Sequence, residues 1–107
     1  MARKYLEKSK YKILAQNYRC RYGEIDLIAE KKGSITFVEV KYRSSLEFGF
    51  PQEAVIKRKQ DRIVKVATRF LKEMNLWSRV DCHFDVLSIY QDERAMRIEH
   101  IKDAFWK

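Results

Sequence analysis

Two cysteines and two histidines are all that this 107-residue chain offers to a soft metal or to imidazole chemistry. Cys20 and Cys82 have no zinc-ligand spacing, and His83 and His100 fall into no zinc or acid–base pattern. All four read as ordinary residues of a reduced, cytoplasmic protein. No apolar run approaches the length of a membrane span, and the amino terminus lacks the apolar stretch of a signal peptide. The expectation is no membrane partner and no export. Proline occurs once, as Pro51. Repeats, low-complexity tracts and linkers are missing, which predicts a single domain over 1–107 with one modest core.

Acidic residues are also in short supply. Fifteen Asp and Glu face 23 Lys and Arg, a net charge of +8. Hydrophobic content of 46% and charged content of 36% belong to a folded domain rather than a disordered one. The imbalance favours a polyanionic partner: DNA, RNA or an anionic membrane surface. Much of the excess gathers near the amino terminus, in Arg3, Lys4, Lys8, Lys10, Lys12, Arg19 and Arg21 against Glu7 alone. Arg19 and Arg21 are candidate nucleic-acid contacts, with solvated charge for solubility as the plain alternative.

Ala2 to Lys8 reads as a short helix that begins abruptly, without a capping residue, as an amino-terminally truncated chain would. Tyr11 to Tyr18 reads as a strand. Glu24 to Ala29 and Ile35 to Val40 are β-rich runs joined by Lys31-Lys32-Gly33-Ser34, a turn. A loop around Pro51 follows. From Gln52 to Met74, apolar residues recur at spacings of three and four and predict the longest helix, ended by Asn75. His83 to Tyr90 and Arg97 to Ile101 read as two more strands, joined through Asp92-Glu93. The expected order is αβββαββ, a mixed sheet between helices.

The hairpin carries the chemistry. A turn centred between Lys32 and Gly33 sets Asp26 opposite Glu39 and Glu24 opposite Lys41. All four side chains then share one face. Ile25, Leu27, Val38 and Val40 would form the other face, a core surface for the long helix. A slip of one residue would bury the charges, so the pattern fixes the register. Like charges directly opposite in a sheet are destabilising, and a cation between Asp26 and Glu39 removes the conflict. A solvated face with a Glu24–Lys41 ion pair is the bland reading of the same residues.

Metal-dependent phosphodiester hydrolysis uses such a set. Asp26, Glu39 and the Val40 carbonyl would hold Mg²⁺ or Mn²⁺, hard cations that prefer oxygen ligands. Lys41 would orient a water or neutralise charge on the pentacoordinate state, with flanking carboxylates favouring its charged form. Glu24 would hold Lys41 or a water. Arg43, two residues beyond Lys41, would contact phosphates, and Lys59, on the helical stripe facing the sheet, would point at the carboxylate cluster or contact a phosphate bound there. A snorkelling side chain is the ordinary explanation of Lys59. Gln52 would position the nucleophile or a base, or serve only as a helix-cap neighbour. Phe48 and Phe50, around Gly49, are candidates for a DNA wedge or a dimer contact.

Gly23-Glu24-Ile25-Asp26-Leu27-Ile28-Ala29, followed by Phe37-Val38-Glu39-Val40-Lys41-Tyr42-Arg43, closely resembles the hallmark of the YraN-like family. Further matches include Gly49-Phe50-Pro51-Gln52-Glu53-Ala54-Val55, Phe84-Asp85-Val86 and His100-Ile101-Lys102-Asp103-Ala104-Phe105. These are small bacterial proteins taken for endonucleases, similar to archaeal Holliday-junction resolvases. The resemblance implies an α/β, restriction-endonuclease-like PD-(D/E)xK core, with Asp26 and Glu39 as metal ligands and Lys41 as the catalytic lysine. It also implies DNA, branched DNA included, as substrate, and a homodimer suited to a symmetric junction. Family members carry a Gly-x-x-Gly-Glu stretch ahead of the first helix, and this chain starts after it. The rival readings are a non-cleaving nucleic-acid-binding module on the same fold, and a partner-binding protein whose charge serves solubility.

Overall fold

A short helix, a long helix and five strands carry the apolar residues into two cores, one on each side of a single sheet. The computed structural model describes residues 1–44, 57–91 and 95–105. Its elements are α1 (Ala2–Lys8), β1 (Lys12–Cys20), β2 (Gly23–Lys31), β3 (Ser34–Ser44), α2 (Lys57–Glu73), β4 (Cys82–Gln91) and β5 (Met96–Ile101). The order is the αβββαββ expected from the sequence. The sheet runs β1-β2-β3-β4-β5. It is mixed: β3 and β4 are parallel, and the other neighbouring pairs are antiparallel. Gln52, Phe48, Phe50, the loop around Pro51, the first turns of the expected long helix and the Asp92-Glu93 connection lie outside the described residues. Among the described residues no helix is long and apolar enough to cross a membrane.

Both helices end by the same device. Asn75 follows α2 at a φ of 60°, the Leu76 N–H bonds the Leu71 carbonyl, and the Asn75 N–H bonds the Lys72 carbonyl. This doubly bonded left-handed ending satisfies carbonyls that the last helical turn leaves open. Asparagine tolerates the left-handed conformation better than most residues. Lys10 takes the same position after α1, at a φ of 74°, with the Tyr11 N–H on the Leu6 carbonyl.

The two cores correct one expectation. Leu27, Ala29, Val38 and Val40 do share a face, but the short helix covers it, through Ala2 and Leu6, with Leu87 and Ile89 from β4. The long helix lies on the opposite face. There Ile63, Val66, Ala67, Phe70 and Leu71 pack on Ile28, Ile35, Phe37, Phe84 and Val86. Ile25 belongs with this second group, not with Leu27. Residues two apart on a regular strand cannot occupy opposite faces, so the alternation of β2 breaks between them, at Asp26. Facing this break on β1 stands Asn17, at a φ of 53°. Both strands shift together, and their register on either side is preserved: Gln16 pairs with Leu27, and Tyr18 with Ile25.

Candidate active site

Lys32 and Gly33 form the tip of the β2–β3 hairpin, at φ values of 51° and 82°. Two successive positive φ angles match the right-handed twist of the strands they join. The ladder then runs in the expected register from Lys31–Ser34 to Leu27–Val38. It stops there. Asp26 and Glu39 are not a ladder pair. Instead the Val40 N–H donates to Asp26 Oδ2 at 2.8 Å. The carboxylate takes the place of a strand carbonyl, and β2 and β3 part around it. Asp26 consequently borders a cavity on each side of the sheet. One, about 200 Å³, lies beside α1 with Arg3, Gln16, Val40 and Tyr42. The other, about 220 Å³, lies beside α2 with Gly23, Glu24, Glu39, Lys59 and Arg62.

Glu39 is the hub of the second cavity. Lys59 Nζ donates to Glu39 Oε1 at 3.0 Å, and Lys41 Nζ stands 3.7 Å from the same oxygen. The Glu39 side chain is only 13% exposed. Lys59 reaches it from the first turns of the described part of α2, one helical turn before Ile63. The expected Glu24–Lys41 pairing is not formed. Glu24 Oε2 accepts from Arg19 Nε at 2.7 Å, across the β1–β2 turn, which leaves Lys41 to Glu39. The break at Asp26 causes this: the ladder that would have set Glu24 against Lys41 has already ended.

Burial pushes the Asp26 carboxyl above its ordinary pKa, and the charges of Glu39 and Glu24 push the same way. The Val40 N–H and Lys59 oppose them without cancelling them. Lys41 moves down. Burial is the main cause and the neighbouring Lys59 ammonium the next, against the pull of Glu39 and Asp26. The flanking carboxylates do favour the charged form of Lys41, as expected, but burial and the second ammonium outweigh them.

The raised Asp26 pKa gives a stability prediction. The folded state binds the Asp26 proton more tightly than the unfolded state does. Between the unfolded pKa and the raised folded one, the unfolded chain therefore carries fewer protons, and stability falls as pH rises. Above that window the full cost of the buried charge is present. Asp26→Asn, which still accepts from Val40, is expected to stabilise the protein at pH 7. The gain should vanish below about pH 4, the ordinary carboxylate range. Urea unfolding of both proteins across pH measures it.

The remaining candidate residues sort by position. Val40 turns its N–H toward Asp26. A strand residue directs N–H and carbonyl to the same neighbour, so the Val40 carbonyl faces the same gap. Arg43 follows Lys41 on the same face of β3, in register with Tyr90. Arg19 and Arg21 stand at the β1–β2 turn beside the cavity, Arg19 on Glu24 and Arg21 5.1 Å from the centre of the Tyr22 ring. Gln52 lies outside the described residues. Two residues escaped the sequence reading. Arg62 lines the cavity, and its stem passes 3.3 Å from where a Cβ on Gly23 would stand. Its spacing of three from Lys59 was the available signal. Ser88 is fully buried, in register with Lys41 on β4, and its Oγ has no partner among the described residues. Nothing in the sequence marks it.

Among the described residues no three His, Cys, Asp or Glu side chains gather as metal ligands. A small hard cation does not need three. Mg²⁺ is usually held by one or two carboxylates and completes its shell with waters and phosphate oxygens. Asp26 and Glu39 on one cavity, with a backbone carbonyl beside them, fit that donor set. The repulsion from Glu39, which adds to burial in raising Asp26, is what a cation would relieve.

The same residues lie inside the part of the chain that relatives share. Residues 1–89 match the family described as Uncharacterised protein family UPF0102. A UPF0102 protein of Lachnoclostridium phytofermentans is 46% identical over 104 residues, covering 97% of this chain and 85% of that protein. One from Syntrophus aciditrophicus is 50% identical over 105 residues, covering 98% and 82%. One from Caldanaerobacter subterraneus is 44% identical over 108 residues, covering 98% and 88%. The YraN-like resemblance and these matches agree, and the chain belongs to the uncharacterised protein family UPF0102.

Proposed function

We propose that the chain is a metal-dependent endonuclease that hydrolyses DNA phosphodiester bonds, branched DNA included. The observation that carries this reading is the convergence of Asp26 and Glu39 on one cavity, with the Lys41 and Lys59 ammonium groups on Glu39. Asp26, Glu39 and the Val40 carbonyl would hold Mg²⁺ or Mn²⁺. A bound ion of this kind supplies Lewis acidity to a phosphoryl oxygen and makes a water more acidic.

The chain's own residues supply the rest. Lys41, half-buried beside Glu39, stabilises charge developing on the phosphoryl oxygens or orients the attacking water. Lys59, released from Glu39, reaches a phosphate from the opposite wall. Arg62, Arg43, Arg19 and Arg21 extend the positive surface around the cavity and hold the backbone without reading its sequence.

A second reading has its own support. With both ammonium groups on Glu39, the cluster is charge-satisfied by the protein alone, as in a binding module that does not cleave. Incubating wild type and Lys41→Ala with branched, single-stranded and duplex DNA, with Mg²⁺ or Mn²⁺ and with EDTA, separates the two. The nuclease reading expects metal-dependent cleavage that falls about a hundredfold or more in the variant. Salt-sensitive binding without any cleavage would establish the second reading, and cleavage indifferent to Lys41 would reject this site.

A further inference from the structure

A second polar cluster is built on β4, where Asp85 pairs with Val38, and it lies on the sheet face opposite the one that Glu39 shares with α2. Asp85, only 3% exposed, accepts from both sides: its Oδ2 stands 2.7 Å from His100 Nε2, and its Oδ1 takes the Asp103 N–H at 3.0 Å. His100 Nδ1 meets the Tyr5 hydroxyl at 3.2 Å, and His83 Nδ1 meets Asp103 Oδ1 at 2.8 Å. His83 and His100, read from sequence as ordinary, are therefore the supports of one turn. Asp103 sits in it at a φ of 51°, a conformation that few residues adopt unaided. The buried carboxylate and the imidazole hold it there.

The turn presents Lys102 to a cavity of about 350 Å³, whose other walls carry Lys31 and Lys32 from the hairpin tip, with Ser34, Thr36 and Tyr11. Lys31 lies over the Tyr11 ring at 4.7 Å. Neither Lys32 nor Lys102 has an ion pair among the described residues. The two carboxylates at the cavity are already engaged, Asp85 by His100 and Asp103 by His83. Three lysines thus line one hollow from two turns, against two carboxylates that are each hydrogen-bonded to a histidine. Three lysines against two carboxylates leave the hollow net positive, which attracts an anion.

We propose that this cavity is a second phosphate-binding site, which takes the sugar–phosphate backbone of a nucleic-acid segment other than the one at Asp26 and Glu39. The choice of nucleic acid rests on the function proposed above. The placement does not: Ser34 and Glu39 are about 16 Å apart along β3, and the two cavities open on opposite faces of the sheet. Phosphate contacts of this kind bring affinity and register without sequence preference.

The test is an amide-resolved NMR titration of the ¹⁵N-labelled protein with a 20-base-pair duplex, and separately with inorganic phosphate. Its companion is DNA binding by fluorescence anisotropy across salt, for wild type and for Lys32→Glu/Lys102→Glu. DNA is expected to shift the amides of Lys31 to Ser34 and of Lys102 and Asp103. The double variant should lose those shifts, bind DNA at least tenfold more weakly, and lose roughly two from the salt slope. Both substitutions are at exposed positions, and an unchanged spectrum elsewhere confirms the fold. DNA shifts confined to the surroundings of Asp26 and Glu39, with an unchanged slope, would overturn the second site and leave the first standing. Shifts with inorganic phosphate but none with DNA would overturn the nucleic-acid assignment. Shifts and slope as expected, in a protein that never cleaves, would uphold the second site and remove the nuclease reading alone.

Discussion

Glu39→Gln is expected to abolish metal-dependent cleavage while tightening the hold on DNA. The two effects come from the same oxygen. Glu39 Oε1 is held by Lys59 at 3.0 Å and lies 3.7 Å from Lys41. As a carboxylate it is also, on the proposed reading, one of the two cavity side chains that would hold a cation. The amide keeps the shape and loses the charge. A hard cation has little use for a single remaining carboxylate, Asp26, whose charge is already disfavoured by burial. Loss of roughly 4 kcal/mol of transition-state stabilisation corresponds to about a thousandfold in rate. The two ammonium groups are meanwhile left without their counter-charge, facing a cavity lined by Arg62. A phosphate backbone is the nearest anion that could replace it, so the salt slope of DNA binding should steepen by about one to two. Cleavage assays with Mn²⁺ and anisotropy in EDTA read the two effects independently. Weaker binding by Glu39→Gln would mean that Lys41 and Lys59 do not face the nucleic acid. Unimpaired cleavage would remove Glu39 from the reaction.

What the sequence disclosed and what it hid divide along a physical line. Local chemistry was legible. Lys32-Gly33 supplied the left-handed angles of the turn, and the alternating residues beyond it left one register open, the one observed from Lys31–Ser34 to Leu27–Val38. Asn75 marked the end of α2, and Lys59 stood on the stripe of Ile63, facing the sheet. The break at Asp26 was not legible, because it is a joint property of two strands. Asn17 turns on β1 where Asp26 leaves the ladder on β2, and neither residue alone announces it. Two errors follow from that one omission: the face assigned to Ile25 and the partner assigned to Glu24. The cluster around Asp85 was hidden for a related reason. Its members come from α1, β4, β5 and the turn after β5, and a histidine shows its partner only when the chain is folded.

That cluster should dominate the stability of the sheet's second edge. Asp85→Ala is expected to cost about 3 kcal/mol, the penalty for leaving buried polar groups without their acceptor. For a domain of this size the melting temperature should fall by roughly 15 °C. The loss is large because one carboxylate answers two donors on separate segments: the His100 ring on β5 and the Asp103 backbone beyond it. Both groups are deeply placed, the His100 side chain at 7% exposure and that of Asp85 at 3%. Asp85→Asn offers one acceptor oxygen in place of two, so its cost should be intermediate. The Asp103 amide then distinguishes which bond survives, since hydrogen exchange at that position accelerates only if its own acceptor is lost. Thermal unfolding and exchange of the two variants measure this together. An Asp85→Ala protein as stable as wild type would mean that water replaces the carboxylate at no cost, and that the turn carrying Lys102 is held by Asp103 and His83 alone.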